Sequence, residues 1–87
     1  MPYTFYILYS SRLDKYYLGH TGDAMEARLR RHNSNHKGFT GGKADWIVVY
    51  TEAYETKSEA YQRERTVKGW KSRRRMETLI GSAHPGP

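Results

Sequence analysis

Tyr3-Thr4-Phe5-Tyr6-Ile7-Leu8-Tyr9 and, after the polar break Ser10–Lys15, Tyr16-Tyr17-Leu18-Gly19-His20 decide the fold. Both runs are rich in aromatic and β-branched residues, which suit a half-buried pleat, so both are expected to be strands. The break between them is short and turn-like, which makes an antiparallel hairpin the economical connection. Gly22-Asp23 ends the second strand, and Asp23 is the expected N-cap of a helix over about Ala24–Asn35. In that helix Met25 and Leu29 share one face, while Arg28 and His32 stack four residues apart on another.

Asn33–Lys43 is rich in glycine and polar residues and has no apolar period, so it reads as a loop. Trp46–Thr51 is a continuous apolar run, the signature of a third strand and, by its continuity, of the central one. Lys57–Trp70 has the spacing of an amphipathic helix, and Ser72 is placed to cap a last helix over Arg73–Ile80, with Met76, Leu79 and Ile80 as its contacts. The order ββαβαα predicts an α+β fold: a small three-stranded, mostly antiparallel sheet flanked by helices. One domain is expected over residues 1–81, with a disordered tail at 82–87.

A chain of 87 residues suffices for a single core. It has no cysteine, which excludes disulfides and thiolate metal sites. Nothing in it reads as a signal peptide or a membrane span, and a cytoplasmic location is expected. Fifteen Lys and Arg against nine Asp and Glu give a net charge of +6 and a pI near 9.7. That balance suits a polyanion, and nucleic acid is the commonest. A basic surface kept for solubility is the plainer reading.

Glu64 is the discordant residue. It lies four residues after Ala60 and three before Val67, on a stripe that continues to Lys71 and faces the core. A carboxylate there is costly unless a neighbour pairs with it. Lys68, at i+4, offers an ordinary partner.

Taken together, Phe5-Tyr6-Ile7, Tyr17-Leu18-Gly19, the helix end Arg28–Ser34 and the tail Arg63–Arg73 resemble the GIY-YIG nuclease superfamily, in particular its small stand-alone bacterial URI-domain endonucleases. The likeness runs from about Tyr3 to Ile80. The resemblance implies that the two half-motifs lie on adjacent strands of a hairpin, with Tyr6 and Tyr17 as their tyrosines. It implies further that Arg28 and His32 act from the next helix, and that Glu64 binds one divalent metal ion. Two departures are visible: Phe5 stands where the first half-motif would have Gly-Ile, and His20 follows Tyr17-Leu18-Gly19 where a small residue is frequent.

These residue types suit phosphodiester hydrolysis. A carboxylate with several waters suits Mg²⁺ or Mn²⁺. Arg28 offers a permanently charged fork to phosphoryl oxygens. Tyr6 or Tyr17 is expected to accept the proton of the attacking water, provided arginine and metal charge lower its pKa well below about 10, the family likeness favouring Tyr6, and His32 orients the tyrosine or relays the proton. Each residue also has an ordinary role open to it, as a strand tyrosine, a solvated arginine or a structural histidine. Arg31, Lys43, Lys68, Lys71, Arg73 and Arg74 are the candidate contacts to DNA phosphates, with Trp70 among the basic run as a further contact or as core. His32 and His36 lie i, i+4 without a third ligand, so a zinc site is not expected. Thr40–Lys43 lacks the spacing of a phosphate loop. The expected activity is therefore metal-dependent DNA cleavage, selective for structure rather than sequence, by a monomer that pairs transiently if both strands are cut. A fold-retaining nucleic-acid-binding module that does not cut is the alternative, and an RNA-directed enzyme a third.

Overall fold

The computed structural model describes residues 2–34 and 45–82. Its elements are β1 (Tyr3–Ser10), β2 (Lys15–Thr21), α1 (Met25–Ser34), β3 (Ile47–Tyr54), α2 (Lys57–Trp70) and α3 (Arg73–Ser82). The order is ββαβαα, as the sequence predicts, and all strand pairs are antiparallel. No helix among the described residues is long and apolar enough to cross a membrane.

The sheet order is β2-β1-β3, which corrects one expectation: the central strand is β1, not the Trp46–Thr51 run. The continuous apolar run misleads because β1 carries one too. Phe5, Tyr6, Ile7 and Leu8 are all buried, as a strand covered on both faces must be, whereas Ile47 is exposed and Val48–Tyr50 are only half-buried. β3 also bulges, Tyr50 lying opposite Ile7 and Val48 opposite Leu8 with Val49 between.

Alternation along β1 divides the core in two. Phe5 and Ile7 join Leu18 and Val67 beneath α2 and α3, with Trp70, Met76, Leu79 and Ile80 packed around them. Tyr6 and Leu8 join Trp46 on the other face, against Met25 and Leu29 of α1. Helices therefore cover both faces of one small sheet.

The helix ends follow local chemistry. Arg28 N–H bonds to the Ala24 carbonyl, so Ala24 rather than Asp23 holds the N-cap position of α1. Thr56 and Glu59 cap α2 reciprocally: the Thr56 hydroxyl accepts Glu59 N–H and the Glu59 carboxylate accepts Thr56 N–H. Ser72 Oγ accepts Arg75 N–H at the start of α3, as expected. That helix runs to Ser82, two residues past the expected Ile80.

Candidate active site

Tyr6 is 1% exposed, and its ring passes directly over Gly19, its partner on β2. A Cβ at position 19 would lie 2.5 Å from the Tyr6 hydroxyl oxygen. The glycine of Tyr17-Leu18-Gly19 thus makes the space in which the phenol sits. Arg28 Nε donates to the Tyr6 oxygen at 3.4 Å, and the hydroxyl is also 3.4 Å from His32 Nε2. With the His32 proton on Nδ1, its Nε2 accepts the Tyr6 O–H. Arg28 and His32 reach one atom because they lie a helical turn apart on α1.

Charge is arranged to suit that chain of donors. Contrary to the lowering expected from arginine, burial pushes the Tyr6 phenol above 10.0, with the Arg28 hydrogen bond and charge pulling it only part of the way back and the charges of Tyr17 and Glu64 adding to the rise. Burial and then the Arg28 charge hold His32 below 6.5, so its imidazole is neutral and can accept. Tyr17, 42% exposed, stacks on Tyr6 with centroids 6.5 Å apart. It also meets His32 edge-on at 4.5 Å and Trp46 at 6.1 Å.

Glu64 approaches from the other side of the sheet. His20 is paired with Phe5, so it shares the α2 face, whereas Gly19 and Tyr6 share the α1 face. β2 is an edge strand and carries both Gly19 and His20, one toward each half of the site. His20 Nδ1 donates to Glu64 Oε1 at 2.6 Å, and Lys68 Nζ donates to Oε2 at 2.6 Å. The Glu64 side chain is only 12% exposed. Burial raises its pKa, but the hydrogen bonds from His20 and Lys68 outweigh that and hold it below 4.5. The carboxylate on the core-facing stripe is thereby paired, and its charge is felt at the Tyr6 hydroxyl.

Tyr6, Tyr17, Arg28 and His32 therefore form one cluster, and Glu64, on the other face of the sheet, reaches it through its charge. The candidate phosphate contacts are more scattered. Arg31 is exposed on α1, and Arg74 on α3. Lys68, Lys71 and Arg73 line, with Lys15, a groove of about 400 Å³ between the hairpin and α2–α3. Arg73 also bonds Asp14 at 2.6 Å and Glu77 at 3.1 Å, so it fastens α3 to the hairpin turn. Lys43, His36 and Thr40 lie outside the described residues. Trp70 packs against the core, the second of the roles considered for it, and carries Arg75 over its ring at 4.4 Å.

Asn33 was not singled out by sequence. Its amide donates to the Trp46 carbonyl at 3.0 Å and accepts Trp46 N–H at 2.8 Å, clamping the end of α1 to the start of β3. An asparagine after the helical His32 is the only hint, and a backbone partner thirteen residues away is not legible from it. Glu52 was missed likewise: Arg63 donates to both its oxygens at 3.0 and 3.2 Å, and the hydroxyls of Tyr50 and Tyr54 complete its shell.

The GIY-YIG catalytic domain family model matches residues 2–77. The chain belongs to the GIY-YIG family. The solution NMR structure of a UPF0213 protein from Bacillus halodurans is similar at 34% identity and a TM-score of 0.60, over all of this chain and 89% of that one. The comparison with curated proteins gives no match. Membership places the chain among nucleases, with a nucleic acid as the substrate class. The GIY-YIG domain accounts for the hairpin position of both half-motif tyrosines. The departure at His20 acquires a structural meaning, since this side chain holds Glu64.

The donor set at Glu64 suits one kind of cation and not another. No group of three His, Cys, Asp or Glu side chains converges among the described residues. Among the described residues an all-protein zinc cage does not fit. One ionised carboxylate does fit a hard, largely hydrated cation that completes its shell with water and substrate phosphate. Lys68, 54% exposed on a flexible stem, is able to withdraw from Oε2.

Proposed function

We propose that this GIY-YIG domain is a divalent-metal-dependent endonuclease that hydrolyses DNA phosphodiester bonds and selects DNA structure over sequence. The observation that carries the reading is the Tyr6 hydroxyl, held between Arg28 and His32 and within reach of the charge of an ionised Glu64. Glu64 would hold Mg²⁺ or Mn²⁺, and the bound ion would supply positive charge for the phosphoryl and leaving oxygens.

The side chains divide the remaining work. Tyr6 takes the proton of the attacking water at its oxygen while passing its own to His32 Nε2, so a free phenolate is not needed. This suits a phenol that burial keeps protonated at neutral pH and an imidazole that burial keeps neutral. Arg28 steadies the Tyr6 oxygen as it becomes more anionic and faces the scissile phosphate with its charge. Tyr17 and Trp46 form the aromatic wall that fixes His32 and Tyr6. Lys68, Lys71 and Arg73 in the groove, with Arg31, Lys43 and Arg74, guide the strand by its phosphates, which position it without reading sequence.

The test is cleavage of labelled single-stranded, duplex and branched DNA, and of single-stranded RNA, with Mg²⁺ or Mn²⁺, for wild type, Glu64→Ala and Arg28→Ala. Metal-dependent DNA cutting lost in both variants supports the reading. Binding without cutting of any substrate identifies the chain as a non-catalytic module.

A further inference from the structure

On the far side of His20 from Gly19 lies a second concavity that the cleavage chemistry does not use. It has a volume of about 530 Å³ and is lined by His20, Lys57, Ser58 and Tyr61. Tyr61 is 41% exposed on α2, so part of its ring is open to solvent. Its orientation is held by neighbours. The His20 ring meets it edge-on at 5.5 Å, the Arg65 guanidinium lies over it 5.7 Å from the centroid, and Arg65 Nη1 donates to its hydroxyl at 3.3 Å.

We propose that this concavity is a subsite for an unpaired nucleobase next to the scissile phosphate. The proposal rests on the cleavage centre described above. An exposed tyrosine flanked by arginine and lysine is the combination with which proteins hold unstacked bases. The ring offers a π-face to any base, Arg65 adds cation–π attraction, and Lys57 supplies charge for the adjoining phosphate. The Thr56–Glu59 capping pair engages the amides of Thr56 and Glu59, and Lys57 supplies the positive charge for phosphate contact at this end of α2. Position fixes the relation to the cut. Tyr61, Glu64 and Lys68 lie at i, i+3 and i+7 along one side of α2, about 10 Å from end to end. A strand crossing Glu64 therefore has Tyr61 on one side and the Lys68–Lys71 groove on the other. A base inside an intact duplex is stacked on its neighbours and cannot occupy the subsite without unstacking. The pocket thus favours single strands, flaps and other unpaired positions.

Binding, measured with metal chelated, reads the subsite apart from cutting. The probes are a short oligodeoxynucleotide carrying one fluorescent adenine analogue, free or annealed to its complement. Tyr61→Ala is expected to weaken single-strand binding about tenfold, to abolish the quenching of the analogue and to leave duplex binding unchanged. Tyr61→Phe and Tyr61→Trp, which keep a π-face, are expected to retain wild-type behaviour. Equal affinities for wild type and Tyr61→Ala, or an equal loss for single strand and duplex, would overturn the proposal. If discrimination depends on Tyr61 but the wild type never cuts, the subsite stands and the endonuclease reading fails. If the wild type cuts and Tyr61→Ala discriminates as it does, the subsite alone fails.

Discussion

A methyl group at position 19 would meet the Tyr6 ring at 2.5 Å from its oxygen and 2.7 Å from Cζ, with the ring fixed by Arg28 and His32. Gly19→Ala is therefore expected to displace the phenol. A loss of about 1–3 kcal/mol in stability should accompany a fall of about 100-fold in cleavage rate, checked by thermal melting and single-turnover kinetics. The His32 imidazole gives a second expectation. Burial and Arg28 hold its pKa below 6.5, so the folded protein keeps a neutral acceptor where a free histidine would be charged. The acid limb of the rate profile should consequently fall below pH 6.5, and His32→Ala should be slow throughout. Tyr6, Tyr17, Arg28, His32 and Glu64 stand out in the sequence because their residue types and order are distinctive, and the fold brings the first four of them together. Gly19 was visible only as a motif letter, since its purpose depends on a ring arriving from the neighbouring strand.

The elements show where sequence suffices. Lys57–Trp70 emerges as α2 with the expected ends, because helix periodicity and termini are local properties. Which strand lies in the middle is a property of pairing, and two continuous apolar runs cannot reveal it. Asn33 is of the same nonlocal kind, bonding both backbone groups of Trp46 and so setting the aromatic wall behind His32. Asn33→Ala removes both hydrogen bonds and is expected to cost about 1–3 kcal/mol. Cleavage should fall more than DNA binding does, because the wall positions Tyr17 and His32 and touches no phosphate. Melting curves and separate kcat and KM measurements check this.

For the molecule as a whole, acid sensitivity follows from two carboxylates on different sides of α2. Burial raises Glu52, but Arg63, Tyr50 and Tyr54 outweigh it; Glu64 is held down in the same way by His20 and Lys68. Both are therefore below 4.5 in the folded state. Groups depressed on folding contribute their full stability above the unfolded value and lose it as pH falls through the folded one. Stability should thus be level near neutrality and decline below about pH 4.5. In Glu52→Gln that decline should be shallower and the neutral-pH stability lower by about 2 kcal/mol, read by denaturant titration across pH. The net charge of +6 announced a polyanionic partner, but not that Arg73 is engaged by Asp14 and Glu77. Charge counts omit such internal pairing. The central claim is that the Tyr6 hydroxyl, between Arg28 and His32, carries the proton transfer of DNA cleavage. Tyr6→Phe deletes one oxygen from a buried ring and leaves its packing in place. Measured at saturating DNA with Mg²⁺ or Mn²⁺, it should fold and bind as wild type while cutting at least about 100-fold more slowly; cleavage at the wild-type rate would contradict the account.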